Sequence, residues 1–201
     1  MEQIHGGIVY RYEGEWQDVG SWDRIAGKLS TEQIGIGTKN GQCENTHILN
    51  ELLLPIHVVD VDNVIVAASY DGILVTNKQS NDEIKHAVEE TLDSPMVEKR
   101  HWGNYRILEQ FNHVDGKDVL IRHIQLSKGK NFSYHRHQYR NESWTIIEGE
   151  GELIVDNVVR RVKAGDIIQI KAGQLHPLKA ITNIQAIEGQ SGSPLIKHAV
   201  E

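Results

Sequence analysis

Two short elements in the second half of the chain constrain its fold more than any other part of the sequence. They follow the patterns G-x5-H-x-H-x4-E-x6-G and G-x7-G-x2-H, at Gly129, His135, His137, Glu142, Gly149, Gly165, Gly173 and His176. Side chains alternate between the two faces of a strand, so His135 and His137 are expected on one strand, pointing into a barrel. We expect Glu142 on the next strand and His176 on a strand that arrives from the following hairpin, so that all four side chains converge.

These converging side chains form a ligand set for a metal. A His-x-His pair alone is more typical of two partly buried polar residues, but the complete spacing favours metal binding. Three imidazoles and one carboxylate suit zinc, iron, manganese, nickel or cobalt, and they leave one or two positions for water or a substrate. The sequence therefore predicts one divalent metal ion, with zinc as the first choice, bound by His135, His137, Glu142 and His176. The open positions imply catalysis or ligand binding.

Apolar runs around the metal motifs predict a fold that is mainly β. Runs at 119–121, 144–147, 151–155 and 166–170 are separated by glycine or aspartate. Strands that recur at such short intervals favour an antiparallel barrel or jelly roll.

The first part of the chain has a different rhythm and predicts a small α+β region. A short amphipathic helix is expected after Ser21, and a second helix is expected to begin at the capping box of Ser80 and Glu83. Between them, strands are expected at 48–49, 56–59, 64–67 and 73–75. The second helical pattern stops at a proline, so we place the small region at 1–93 and the barrel at 94–201.

The composition favours a cytoplasmic protein with a small-molecule partner. The formal net charge is -7, and no basic face is evident that would suit a nucleic acid or an anionic membrane. Charged side chains interrupt the N-terminal segment, and no apolar run reaches the roughly 20 residues of a membrane span. The single cysteine, Cys43, cannot form an internal disulfide, which fits a reducing compartment.

The two motifs resemble the paired motifs of the cupin superfamily. The first agrees at every position, whereas the second has Lys171 in place of a usual proline and Ala180 in place of a frequent asparagine. Neither departure involves a predicted metal ligand. The resemblance implies a cupin fold, which is a double-stranded β-helix or jelly-roll barrel, and it also implies a homodimer.

A closer resemblance extends over nearly the whole chain. Segments 16–22 (W-Q-D-V-G-S-W), 102–105 (W-G-N-Y), 140–144 (R-N-E-S-W) and 187–192 (I-E-G-Q-S-G) are similar to segments of the bifunctional mannose-1-phosphate guanylyltransferase and type II mannose-6-phosphate isomerase family. The chain resembles the C-terminal half of that family. No glycine-rich nucleotide loop precedes Asp18, which matches a magnesium-binding aspartate, so guanylyltransferase activity is not expected.

This resemblance implies a metal-dependent isomerase that interconverts mannose 6-phosphate and fructose 6-phosphate in mannose, GDP-mannose and polysaccharide metabolism. A proton would move between C1 and C2 through an enediol, with the metal as Lewis acid. Arg140 matches an arginine of the family and is expected to bind the phosphate. The predicted catalytic residues are Glu142, Arg140 and His123. Three side chains expected to face inward, those of His123, Glu148 and Lys179, are candidates for the base, and the sequence does not choose among them.

Three departures from the family keep other functions open. The family usually has glutamine at the position of His135, histidine at that of Tyr139 and arginine at that of Pro177. One alternative is a non-catalytic module that binds a sugar or nucleotide sugar in the same barrel. Another is a different metal-dependent cupin enzyme such as an oxygenase, because the same ligands suit iron.

Overall fold

The computed structural model describes residues 10–16, 19–80, 83–84, 86, 95–112 and 116–193, and it divides the chain into two compact units, 1–90 and 91–201. Positions 87, 88 and 92 of the helix predicted after Ser80 lie outside the described residues, as do Asp18 and the predicted boundary at 93–94. None of the described helices is long and apolar enough to cross a membrane.

The first unit is built mainly from short parallel strands. Its described elements are α1 (Trp22–Ala26), β1 (Gln33–Ile34), β2 (Gly37–Asn40), β3 (His47–Asn50), β4 (Ile56–Val59), β5 (Val64–Ser69) and β6 (Gly72–Asn77). Strands β1, β3 and β5 pair in parallel, β2 pairs in parallel with β4, and β6 is the antiparallel neighbour of β5. The four strands predicted here are confirmed as β3 to β6, and the short helix after Ser21 is confirmed as α1.

A small apolar core holds these short strands together. Ile48, Val58 and Val66 are buried in one cluster, and each comes from a different strand. The chain reverses between β5 and β6 at Asp71, next to Gly72, as the turn residues predicted. Strands β1 and β2 were not predicted because they are short and carry almost no apolar alternation, which is the signal that reveals a strand in a sequence.

The second unit is the predicted antiparallel barrel. Its strands are β7 (Val97–Arg100), β8 (Gly103–Asn112), β9 (Asp118–Leu126), β10 (Arg140–Glu148), β11 (Glu150–Val155), β12 (Val158–Lys163), β13 (Ile167–Ile170), β14 (Leu178–Ala180) and β15 (Ile184–Gly192). They form a six-stranded sheet in the order β13-β10-β15-β9-β8-β7 and a three-stranded sheet in the order β12-β11-β14. One cluster of buried side chains contains residues from both sheets, so the core lies between them.

Strict alternation along the central strands decides which side chains enter the barrel. On β10 the buried positions are Arg140, Glu142, Trp144 and Ile146, and the positions between them are more exposed. Strand β15 shows the same alternation along its full length. The barrel interior therefore receives polar groups from the same strands that supply its apolar core, and these polar groups form the candidate site.

Gly149, the last residue of the first motif, has a backbone conformation that only glycine adopts easily. Its φ is 90°, and an added Cβ would lie 2.0 Å from the carbonyl oxygen of Asn183. Backbone strain alone at such a position costs roughly 1–3 kcal/mol. We expect Gly149→Ala to lower the free energy of unfolding by more than this, because the new methyl group also clashes with the backbone of Asn183.

The matched control for this prediction is Gly129→Ala. Gly129 also has a positive φ, of 77°, but an added Cβ would meet nothing within 4 Å. Urea denaturation followed by tryptophan fluorescence measures both variants. Equal losses of stability in the two variants would contradict the role assigned to the contact with Asn183.

Candidate metal centre

The predicted metal ligands come from three segments of the barrel. His135 and His137 lie in the connection between β9 and β10, Glu142 lies on β10, and His176 lies in the connection that leads to β14. The prediction that the three histidines lie on strands was wrong, because both connections are irregular. The prediction that His135 and His137 share one face still holds, since Tyr134 between Ser133 and His135 is 62% exposed while both histidines are partly buried.

Backbone hydrogen bonds join the two connections and so bring the histidines together. The amide of Gly173 donates to the carbonyl of His137 at 2.7 Å, and the amide of His176 donates to the carbonyl of His135 at 3.3 Å. The ligating nitrogens of the three imidazoles all lie within 4.8 Å of one another. This group could hold a metal ion.

The orientation of two imidazoles leaves their Nε2 atoms available as ligands. Nδ1 of His135 lies 2.7 Å from the carbonyl oxygen of Ser133, and Nδ1 of His176 lies 2.8 Å from that of Gln174. A carbonyl only accepts hydrogen bonds, so Nδ1 carries the proton in both rings. In the described part of the chain, Nε2 of His176 is buried and has no hydrogen-bond partner. An unpartnered buried nitrogen is what a metal ligand presents before the metal binds.

The carboxylate of Glu142 lies beside two of these three imidazoles. Its Oε1 lies 3.3 Å from Nε2 of His137, and its Oε2 lies 3.4 Å from Nε2 of His176. Both separations are long for hydrogen bonds. The indole of Trp144 donates to Oε2 at 3.2 Å and orients the carboxylate, which is 4% exposed. Three imidazole nitrogens beside one oriented carboxylate fit a divalent transition metal.

Arg140 contacts two members of this donor set. Its Nε donates to Oε1 of Glu142 at 2.9 Å, and its Nη2 lies 2.6 Å from Nε2 of His137. A guanidinium only donates, so Nε2 of His137 must be unprotonated here. The Arg140 guanidinium and a bound metal ion would therefore contact the same two atoms, Oε1 of Glu142 and Nε2 of His137.

The electrostatic environment gives two ligands the protonation state that a metal needs. Burial lowers the pKa of His137 to about 3, so its imidazole is neutral at neutral pH. Burial alone would raise the pKa of Glu142, but its contact with His176 and the charge of Arg140 lower it to about 2. Burial would likewise lower the pKa of His176, but the neighbouring Glu142 carboxylate outweighs this effect and raises it.

One part of the chain matches a known family model. Residues 122–187 match the Cupin_2 family model, which describes a cupin domain, and this range contains the three histidines and Glu142. These residues form a cupin domain. The expected cupin fold is thereby confirmed.

The chain is also similar to mannose-1-phosphate guanylyltransferases over almost its full length. It is 26% identical to mannose-1-phosphate guanylyltransferase RfbM of Salmonella typhimurium over 97% of this chain and 42% of the relative. It is 27% identical to the xanthan biosynthesis protein XanB of Xanthomonas campestris pv. campestris over 97% of this chain and 43% of the relative. The chain thus spans less than half the length of these relatives, and its cupin domain is homologous to their C-terminal part.

An RmlC-like cupin from Shewanella frigidimarina is 25% identical, with a TM-score of 0.43, over 49% of this chain and 85% of that chain.

The cupin domain also contains a buried polar network that sequence analysis missed. Arg122 on β9 donates from Nε to Oε2 of Glu188 on β15 at 2.5 Å, and its Nη2 contacts the same oxygen. Gln190 donates to this oxygen at 3.0 Å, and the Arg122 guanidinium lies 4.7 Å from the ring centre of Tyr105. The available signal was on the buried face of β15, where the polar Glu188 and Gln190 follow the apolar Ile184 and Ala186 at alternate positions.

The network and His135 line one cavity inside the barrel. It is lined by three aromatic rings, one isoleucine and four polar residues: Trp102, Phe132, Trp144, Ile124, His135, Arg140, Arg122 and Glu188. The rings pack edge to face, with centroids 4.8 Å apart for Trp102 and Phe132 and 5.6 Å apart for Phe132 and Trp144. Aromatic rings therefore form much of the cavity wall. The charged side chains that line it are those of Arg140, Arg122 and Glu188.

The expectation that His123, Glu148 and Lys179 face the ligands was wrong. On β9, Arg122 and Ile124 point into the barrel, so His123 between them points outward, where its Nε2 lies 3.1 Å from Oε1 of Gln185. Glu148 is exposed and accepts from the same glutamine, and Lys179 is the exposed residue of β14. All three lie outside the cavity, so none is placed to act as its base.

Metal binding to the cupin domain is expected to weaken as the pH falls. The pKa of His176 is raised, whereas that of His137 is lowered to about 3. As the pH falls, Nε2 of His176 therefore gains a proton while His137 is still neutral. That proton must leave before the nitrogen can bind a metal, so affinity falls by up to about tenfold per pH unit below the pKa of His176.

Calorimetric titration with zinc between about pH 8 and about pH 6, in buffers of different ionisation enthalpy, measures this effect. We expect release of about one proton per metal at the acidic end. An affinity that does not change over this range would contradict the assignment of His176 as a ligand.

Proposed function

We propose that the cupin domain is a metal-dependent isomerase that interconverts mannose 6-phosphate and fructose 6-phosphate in the metabolism of mannose-containing polysaccharides. The observation that carries this proposal is the cluster of three histidines beside the buried side chains of Glu142 and Arg140. A metal-dependent sugar-phosphate isomerase uses a metal as Lewis acid and a cation to bind the phosphate. The histidines could hold the metal, and Arg140 offers the cation. Similarity to mannose-1-phosphate guanylyltransferases supports a mannose phosphate as the substrate.

The proposed metal ligands are His135, His137, Glu142 and His176, with zinc as the first choice. A metal in this position would polarise the carbonyl and hydroxyl oxygens of the substrate. The chain itself fixes the imidazoles, because two of them are tied through Nδ1 to backbone carbonyls. Such contacts behind the ligands hold the rings in one orientation and set their tautomer.

Arg140 is proposed to bind the anionic group of the substrate. Its side chain is buried, lines the cavity and contacts two proposed ligands, His137 and Glu142. A guanidinium presents donors in a planar fork that matches two oxygens of a phosphate. A metal on those two ligands would leave the Arg140 donors available for the substrate.

The aromatic wall of the cavity contributes by excluding water. Trp102, Phe132 and Trp144 are all at least 95% buried, since their exposed fractions are 2%, 5% and 2%. Electrostatic interactions are stronger where water is excluded, so the charge that develops on an enediolate is stabilised more effectively there.

A coupled assay for conversion of mannose 6-phosphate to fructose 6-phosphate tests the proposed function. We expect turnover with protein of known metal content, loss of turnover after treatment with a chelator, and recovery when zinc is returned. Absence of turnover at full metal occupancy would contradict the isomerase. Binding of a sugar phosphate without turnover would then indicate a binding module, and oxygen consumption with bound iron would indicate an oxygenase.

We further propose, from the family resemblance, that the protein is a cytoplasmic homodimer. Sedimentation equilibrium is expected to give twice the chain mass of 22.7 kDa. A mass equal to that of one chain would contradict the dimer.

A further inference from the structure

We infer that Glu188 is the residue that carries the proton between C1 and C2 of the substrate. This inference rests on the proposed function. It assigns the catalytic base, a role that His123, Glu148 and Lys179 cannot fill because they lie outside the cavity. Glu188 lies on β15, is 3% exposed, and lines the same cavity as His135 and Arg140. It belongs to the network with Arg122 and Gln190 described above.

One carboxylate oxygen of Glu188 is held by hydrogen bonds, while the other is left available. Arg122 and Gln190 both donate to Oε2. Within the described part of the chain, Oε1 accepts no hydrogen bond from a side chain or the backbone. A carboxylate that is fixed through one oxygen and unpaired at the other is oriented to accept a proton from a ligand in the cavity.

Glu188 differs from the other residues that line the cavity because it can accept a proton. Arginine cannot accept a proton, and the aromatic and isoleucine side chains have no basic group. The Nδ1 atom of His135 is bonded to a backbone carbonyl, and its Nε2 is proposed to bind the metal. Glu188 is therefore the only proton acceptor among the described lining residues that is not a proposed metal ligand.

The proton transfer balances without any further reactant. The Glu188 carboxylate takes the proton from C2 of the aldose, and the electrons of the C–H bond form the C1=C2 double bond of an enediol as O1 gains a proton. The hydroxyl at C2 then loses its proton as the C2=O2 bond forms, and Glu188 returns its proton to C1. In sum, one proton moves from C2 to C1 and one from O2 to O1, and nothing is oxidised by an outside agent.

The first test is Glu188→Gln, which keeps the size of the side chain and can still accept a hydrogen bond from Arg122. We expect kcat for the interconversion to fall by at least about 100-fold, because general base catalysis typically contributes about 100-fold to 10,000-fold. The KM for the phosphosugar and the metal content are expected to change little. The matched control is Glu148→Gln, a carboxylate on the outer face, which is expected to keep normal turnover.

A second measurement separates a catalytic role from a structural one. In Glu188→Ala, added formate is expected to restore part of kcat, because a small carboxylate can enter the space left in the cavity. Formate that only neutralised Arg122 would restore the free energy of unfolding together with kcat, so urea denaturation is measured at the same formate concentration. Recovery of kcat without recovery of stability is the result expected for a catalytic role. If the glutamine variant does not fold, Glu188→Asp keeps the charge beside Arg122, and its withdrawn carboxylate is expected to lower kcat by at least about tenfold.

The outcomes distinguish this inference from the proposed function. Wild-type protein that turns over while Glu188→Gln keeps full kcat overturns the role of Glu188 and leaves the isomerase intact. Wild-type protein that does not turn over at full metal occupancy overturns the isomerase and, with it, the role of Glu188. Loss of kcat in Glu188→Gln with rescue of Glu188→Ala by formate supports both.

Discussion

Replacing His176 by alanine is expected to abolish metal binding and isomerase turnover together. His176 is 1% exposed and its Nε2 has no hydrogen-bond partner in the described part of the chain. Removing a residue that only supports a ligand typically costs about 10-fold to 100-fold in metal affinity, so loss of a ligand itself should cost more than about 100-fold. Metal content after dialysis and calorimetric titration with zinc measure the change.

The matched control for this variant is His123→Ala. It removes an imidazole from the same barrel, but from the outer face, where His123 contacts Gln185. This variant is expected to retain both metal and turnover. Wild-type affinity in His176→Ala, or loss of metal in His123→Ala, would contradict the proposed ligand set.

Replacing Arg122 by methionine is expected to destabilise the barrel severely. The side chains of Arg122 and Glu188 are 5% and 3% exposed, so the substitution leaves the carboxylate buried without its cation. Breaking a buried ion pair by removing one partner costs about 3–5 kcal/mol. Urea denaturation followed by tryptophan fluorescence is expected to show a loss of this size, because Trp102 and Trp144 are both buried in the same core.

Two further variants test whether the unpaired charge causes this loss. The double variant Arg122→Met, Glu188→Gln removes the charge as well and is expected to recover much of the lost stability. Arg161→Met, on the exposed face of β12, is expected to change stability by less than about 0.5 kcal/mol. If the double variant were no more stable than Arg122→Met alone, the explanation by an unpaired buried charge would be wrong.

The spacing of the motifs predicted the strands of the barrel and the shared face of His135 and His137 because both depend on local alternation. Ser133, His135 and His137 face inward while Tyr134 faces solvent, although this segment is irregular. An extended backbone needs no strand partner to alternate its side chains, so the prediction of a shared face holds where the prediction of a strand fails.

What the sequence could not predict depends on pairing between distant strands. Arg122 and Glu188 are 66 positions apart, and only the antiparallel register of β9 and β15 brings them opposite each other. The same one-residue alternation places His123 outside the barrel, although it looked like a candidate base in the sequence. A shift of one position exchanges the two faces of a strand, so catalytic candidates on β9 could be assigned only after the register was known.

Turnover measured against bound metal tests the central claim most directly. Metal-free protein would be titrated with zinc while metal per chain and conversion of mannose 6-phosphate are measured on the same samples. We predict no turnover without metal, a rise in turnover in proportion to bound metal, and a plateau at one metal per chain. Undiminished turnover in the metal-free protein, or one bound metal per chain without turnover, would contradict this claim.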